Sequence, residues 1–210
     1  MLLAGLTVLV IGASHLAKPT YLIKTLHDEL TERGAQVHSV GVCGVMPSEW
    51  LKKTTSRCGG AERIEGEPII LSMASAAQTV PFDLLLDQRK PDVVVIVMGD
   101  NLANYKASSF SRTDVRKELL SLTTRLANKS IRCVWVGPAW GEDHKLAGKT
   151  FKRTKDVSAF LESQVKPCDY VNSLEMSKPG EWKTTDGQHF FAEGYQAWGA
   201  AIANEVEQLP

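Results

Sequence analysis

A serine directly after an apolar run, in "TVLVIGASH", and an aspartate and a histidine three residues apart, in "TTDGQHFF", are the side chains from which acyl transfer is built. A serine hydroxyl attacks a carbonyl only when a base takes its proton. A neutral imidazole serves as that base when a carboxylate on its other nitrogen fixes the tautomer. Ser14 is the candidate nucleophile, His189 the candidate base and Asp186 its orienting carboxylate. The tetrahedral intermediate also needs donors aimed at its oxyanion, and the Ser14 N–H, the Gly44 N–H in "GVCG" and the Asn101 amide in "GDN" are candidates. Glycine suits that place because a side chain would block the approach of a substrate carbonyl to the backbone; Gly41 is an alternative to Gly44.

Each of these residues also has a use without chemistry. Ser14 between a strand and a helix is a natural N-cap, Asp186 in Asp-Gly and Asn101 in Asp-Asn are turn formers, and His189 suits a surface. His15, next to Ser14, fits a structural or substrate-edge role. Trp140 in "PAWGEDHKL" fits a sugar-stacking platform or a buried loop anchor equally well. Asp143 and His144 are adjacent in sequence, which places their side chains poorly for a triad-type hydrogen bond. "GASHLAK" lacks the G-x-G-x-x-G spacing of a dinucleotide site.

The elements that would position these residues alternate along the chain. Apolar runs suited to buried parallel strands occur at Leu6–Ile11, Val37–Val42, Val93–Met98, Cys133–Val136 and Tyr170–Val171. Between them Leu22, Ile23, Leu26 and Leu30 line one helical face with Gly34 as terminator. Val115, Leu119, Leu122 and Leu126 line another behind Ser111 or Thr113 as cap. A last helix runs from about Ala192 to Val206. Strand–helix alternation at this spacing predicts a three-layer α/β/α sandwich around a parallel sheet of about five strands. In such sheets ligands bind beyond the carboxyl ends of the strands, where Ser14, Gly44 and Asn101 all stand.

Composition narrows the class. With 210 residues, 43% hydrophobic and 23% charged, the chain has the size of one domain, residues 1–210. Lysine plus arginine equals aspartate plus glutamate at 24 each, so charge points to a small neutral or mixed-charge ligand and not to nucleic acid. No run approaches a membrane span and the start at Met1 lacks a basic leader region, although a removed leader or anchor stays open. No CxxC spacing supports zinc, and no metal or other cofactor is expected. The four cysteines, Cys43, Cys58, Cys133 and Cys168, are read either as free thiols or as two bridges.

These blocks resemble the SGNH, or GDSL, hydrolase superfamily, named for a serine, a glycine, an asparagine and a histidine in four separate blocks. Ser14 in "GASH", Gly44 in "GVCG", Asn101 in "GDN" and Asp186 with His189 in "DGQH" match them in order, from about residue 7 to 206. Two positions depart from the family pattern: Ala13 stands where an aspartate usually precedes the serine, and Leu102 where one usually follows the asparagine. The loops around the site must then be held by other contacts.

The resemblance implies a flavodoxin-like sandwich and a serine esterase working through an acyl-serine. Its substrate would be a small-molecule or polysaccharide ester, most simply an O-acetyl group on a carbohydrate. An O-acetyltransferase domain and a non-catalytic carbohydrate-binding module are the alternatives on the same fold. In that fold the fourth and fifth strands are neighbours, which brings Cys133 and Cys168 within bridging range and leaves Cys43 and Cys58 as a second candidate pair. Bridges would favour a periplasmic or secreted location over a cytoplasmic one.

Overall fold

The computed structural model describes residues 3–208. In chain order its elements are β1 (Thr7–Gly12), α1 (Leu22–Glu32), β2 (Gln36–Val42), β3 (Gly60–Ile64), β4 (Ile70–Ser72) and α2 (Phe82–Arg89). Then come β5 (Val93–Val97), α3 (Arg112–Asn128), β6 (Arg132–Val136), α4 (Phe151–Gln164), β7 (Asp169–Val171) and α5 (Ala192–Gln208). The sheet order is β4-β3-β2-β1-β5-β6-β7. The expected parallel strands are all present as β2-β1-β5-β6-β7. Two more, β3 and β4, extend the β2 edge antiparallel, so among the described residues the sheet has seven strands and not about five.

Alternation along the strands builds both cores. From β1, Leu9 and Ile11 face α2, α3 and α4, while Val8 and Val10 face α1 and α5. Because each face of a parallel sheet is covered by helices, both residue sets are apolar, and the strands read as continuous Val/Ile/Leu runs. α1 and α5 approach closely: a Cβ on Gly199 would lie 2.8 Å from the Leu26 nitrogen, and Thr25 Oγ1 donates to the Tyr195 carbonyl at 2.8 Å. Gly34 follows α1 with φ of +91°, a left-handed conformation that glycine adopts without strain. At α3 the cap is Ser111, whose hydroxyl accepts from the Asp114 N–H at 3.2 Å, and not Thr113.

The four cysteines are paired. Cys43–Cys58 closes the turn between β2 and β3, with Cα atoms 5.2 Å apart; Cys133–Cys168 ties β6 to the residue before β7, at 4.6 Å. Among the described residues no helix is long and apolar enough to cross a membrane.

Candidate active site

β1 lies between β2 and β5, so the chain leaves it in opposite directions to its two neighbours and a crevice opens beyond its carboxyl end. Ser14 sits there, the first residue of a 3-10 turn over Ser14–Leu16. Close packing seats the turn: a Cβ on Gly41 would lie 2.4 Å from Leu16 backbone, and one on Gly12 2.7 Å from the Val97 carbonyl oxygen. Gly41 is therefore a packing residue inside β2, between β1 and β3, whereas Gly44 stands beyond the end of that strand.

The Ser14 hydroxyl caps no helix. Its partner is His189 Nε2, at 2.8 Å. His189 Nδ1 lies 2.7 Å from Asp186 Oδ2, and Asp186 Oδ1 accepts the N–H groups of Gln188 and His189 at 3.0 and 2.9 Å. One carboxylate thus folds the turn and orients the ring. Partial burial opposes its ionisation, but these hydrogen bonds outweigh that cost and hold it below the ordinary carboxylate range. With Nδ1–H donating to Asp186, the Nε2 lone pair faces Ser14.

Gly44 has φ of +80° and lies under the Arg57 side chain, one residue from the Cys43–Cys58 bridge. Asn101, in the turn after β5, donates one amide hydrogen to the Val45 carbonyl at 2.8 Å, which ties its turn to that of Gly44 and leaves the second hydrogen free to donate. Neither the Ser14 nor the Gly44 N–H is bonded to a protein carbonyl among the described residues. The residues expected to act together are thus brought together: a hydroxyl, an imidazole and a carboxylate in a chain, with uncommitted donors on neighbouring turns.

His15 is a correction. It does not face a substrate: it is buried, with Nδ1 2.9 Å from the Tyr195 hydroxyl and Nε2 2.9 Å from Asp100 Oδ2. Burial lowers its pKa, against the pull of Asp100, so the ring is neutral. Trp140 has the contacts of a loop anchor, its indole N–H on the Leu174 carbonyl at 2.9 Å and its ring edge-on to Phe151. Asp143 accepts the Phe151 N–H at the start of α4 at 2.6 Å, beside the Thr150 cap, while His144 accepts the Ala147 N–H at 3.1 Å, so the two do not pair. A groove of about 760 Å³ beside Tyr105, Phe110, Arg112 and Arg153 includes none of Ser14, Asn101 or His189; hydrogen bonding, not cavity size, marks the site.

Several site residues carried no sequence signal. Asp100 accepts from Lys149 Nζ and the Tyr105 hydroxyl, both at 2.7 Å. Burial opposes its charge, but the Lys149 ammonium and the His15 hydrogen bond hold it ionised far below the carboxylate range. Glu142 braces the histidine turn, accepting the Thr184 N–H and hydroxyl at 2.8 and 2.7 Å. Tyr21 stacks on His189 at 5.8 Å between ring centres. Apart from the Asp100–Tyr105 bond, all are long-range contacts of common residue types, which local spacing does not display.

No family model matches the chain. Protein BcsX of Komagataeibacter xylinus is 36% identical over 213 residues, covering 99% of this chain and 80% of that protein. Among solved structures, the acetyl xylan esterase AlAXEase superposes with a TM-score of 0.59 at 16% identity, over 95% of this chain and 99% of that one. A peptidoglycan O-acetylesterase gives 0.60 at 12%, over 98% and 91%. The psychrotrophic esterase EstA of Pseudoalteromonas sp. gives 0.58 at 14%, over 96% and 97%. The chain belongs to the same family as Protein BcsX. At these identities the structural likenesses speak to the SGNH fold alone. In that fold Ala13 and Leu102, the two departures from the SGNH pattern, are both buried in the core under α2, α3 and α4.

Proposed function

We propose that the chain is a serine esterase that removes O-acetyl groups from a carbohydrate, with residues 1–210 as one SGNH domain. The observation that carries this is the continuous hydrogen-bonded chain Ser14–His189–Asp186 at the point where the sheet order reverses. The acetyl and carbohydrate part is supported by the kinds of esterase that share the fold, among them an acetyl xylan esterase and a peptidoglycan O-acetylesterase.

The steps follow from the atoms. Ser14 Oγ attacks the ester carbonyl carbon as its proton passes to His189 Nε2. The oxyanion is held by the N–H groups of Ser14 and Gly44 and the free amide hydrogen of Asn101. The C–O bond to the sugar breaks and His189 returns the proton to the departing hydroxyl. Water, deprotonated by the same imidazole, then attacks the acyl-serine, releasing acetate and restoring Ser14. Asp186 keeps the proton of His189 on Nδ1 and stabilises the imidazolium that forms. Two disulfides and a polysaccharide-type substrate support a location outside the cytoplasm.

The test is acetate release from an aryl acetate and from acetylated xylo-oligosaccharides by the wild type and by Ser14→Ala. Turnover by the wild type and its loss in a folded variant support the reading. A wild type without turnover on any acetyl ester overturns it.

A further inference from the structure

The turns carrying Ser14 and Asn101 leave adjacent strands, β1 and β5, whose last paired residues are Gly12 and Val97. The residue after Ser14 is His15, and the residue before Asn101 is Asp100. These two side chains meet beneath the site, Nε2 to Oδ2 at 2.9 Å. One hydrogen bond therefore joins the segment bearing the nucleophile to the segment bearing the oxyanion donor, each one residue from its functional group.

The remaining valences reach the rest of the site. Asp100 Oδ1 is held by Lys149 Nζ, which also donates to the Ala139 carbonyl at 3.1 Å, and their loop meets the histidine turn where the Glu142 N–H donates to the Gly187 carbonyl at 3.1 Å. His15 Nδ1 accepts from the Tyr195 hydroxyl; the Tyr195 ring stacks on Tyr21, and Tyr21 on His189. The tautomer of His15 is thus fixed from both sides, as donor to Asp100 and acceptor from Tyr195.

Stability alone does not account for this. Lys149 has 0% and Asp100 5% of its side chain exposed, and an ion pair so buried gains little over apolar packing once desolvation is counted. The flanking Ala13 and Leu102 offer no polar tie, so the polar contact that joins the two turns directly is the pair between them.

Resting on the esterase reading above, we propose that His15 and Asp100 are a positioning pair that sets the Ser14 turn against the Asn101 turn, with Lys149 as the counter-ion that lets Asp100 stay charged in the core. Neither touches substrate. Their effect is on the distance between the attacking oxygen and the oxyanion donors, so it falls on the chemical step and not on substrate binding.

The test compares steady-state kinetics of the wild type, Ser14→Ala, His15→Leu and His15→Gln on an aryl acetate, normalised to folded protein by circular dichroism. Glutamine places an amide N–H near the position of the imidazole Nε2 and can still donate to Asp100; leucine cannot. His15→Leu is expected to lose at least tenfold in kcat with KM within twofold, and His15→Gln to return within about threefold of the wild type. A purely structural role lowers the melting temperature of both and changes kcat of neither. Wild-type kcat in His15→Leu, or equal losses in both variants, overturns the proposal while leaving the esterase reading intact. Absence of turnover in the wild type overturns both. Should the leucine variant fail to fold, His15→Asn replaces it: its amide is one methylene short of Asp100, and the same tenfold gap to His15→Gln is expected.

Discussion

His189 Nε2 stands 2.8 Å from Ser14 Oγ across 175 residues of chain, in the turn that leads into α5, which packs beside α1. The backbone bonds of Asp186 settle where that ring can point.

Asp186→Asn separates orientation from charge. Asparagine keeps an oxygen for the Gln188 and His189 N–H groups, so the turn survives, but its amide faces Nδ1 and favours the tautomer that turns an N–H toward Ser14. Turnover is expected to fall on the order of a thousandfold or more with the melting temperature nearly unchanged. Retained activity would return Asp186 to being a turn residue.

Asn101→Ala removes a donor to an oxyanion that exists only along the reaction path. A loss of about 3 kcal/mol of transition-state stabilisation, a hundredfold or more in kcat, is expected with little change in KM. The lost bond to the Val45 carbonyl adds a stability cost of about 1 kcal/mol, read from denaturant unfolding. A stability loss without a rate loss assigns Asn101 to the turn alone.

Much of this was legible in the sequence because the parallel strands are apolar on both faces and the reactive residues follow them directly. β3 and β4 were not, since "GAERI" and "ILS" belong to an antiparallel edge with little buried apolar surface. α4 was missed for a related reason: Val157 and Leu161 are its only fully buried large apolar residues in a charged stretch. The His15–Asp100–Lys149 network lay beyond reach because its partners are 85 and 49 residues apart, and a lysine in "AGKTF" gives no sign of its burial.

Stability should fall on mild acidification. His27 is buried between Ser39 and the Glu65 carbonyl; burial, aided by the Arg63 charge, pushes its pKa from 6.5 down to about 4. Below pH 6.5 the unfolded chain takes up a proton that the folded one refuses until about 4, so stability is lost as pH drops through that window. His15 acts in the same direction. Melting temperatures at pH 7 and pH 4.5 should differ, and by less in His27→Gln; an equal slope in that variant would remove His27 as a cause.

The bridges should separate by consequence. Cys133–Cys168 closes 35 residues in the core, and replacing both by alanine is expected to cost about 4 kcal/mol of stability while leaving the kinetics of folded protein unchanged. Cys43–Cys58 stands beside Gly44, and Cys43→Ser with Cys58→Ser is expected to lower kcat as well. Equal kinetics in both double variants would detach the Gly44 turn from the reaction.

The most direct measurement is the intact and peptide mass of the protein after reaction with a small fluorophosphonate. An activated serine displaces fluoride and keeps the phosphonyl group, whereas a hydroxyl without a base does not react. One adduct per chain is expected, mapped to Ser14, with parallel loss of acetyl-ester turnover and no adduct in Ser14→Ala. An unlabelled wild type that nevertheless turns over acetyl esters, or a folded Ser14→Ala that retains the wild-type rate, would show that Ser14 is not the nucleophile.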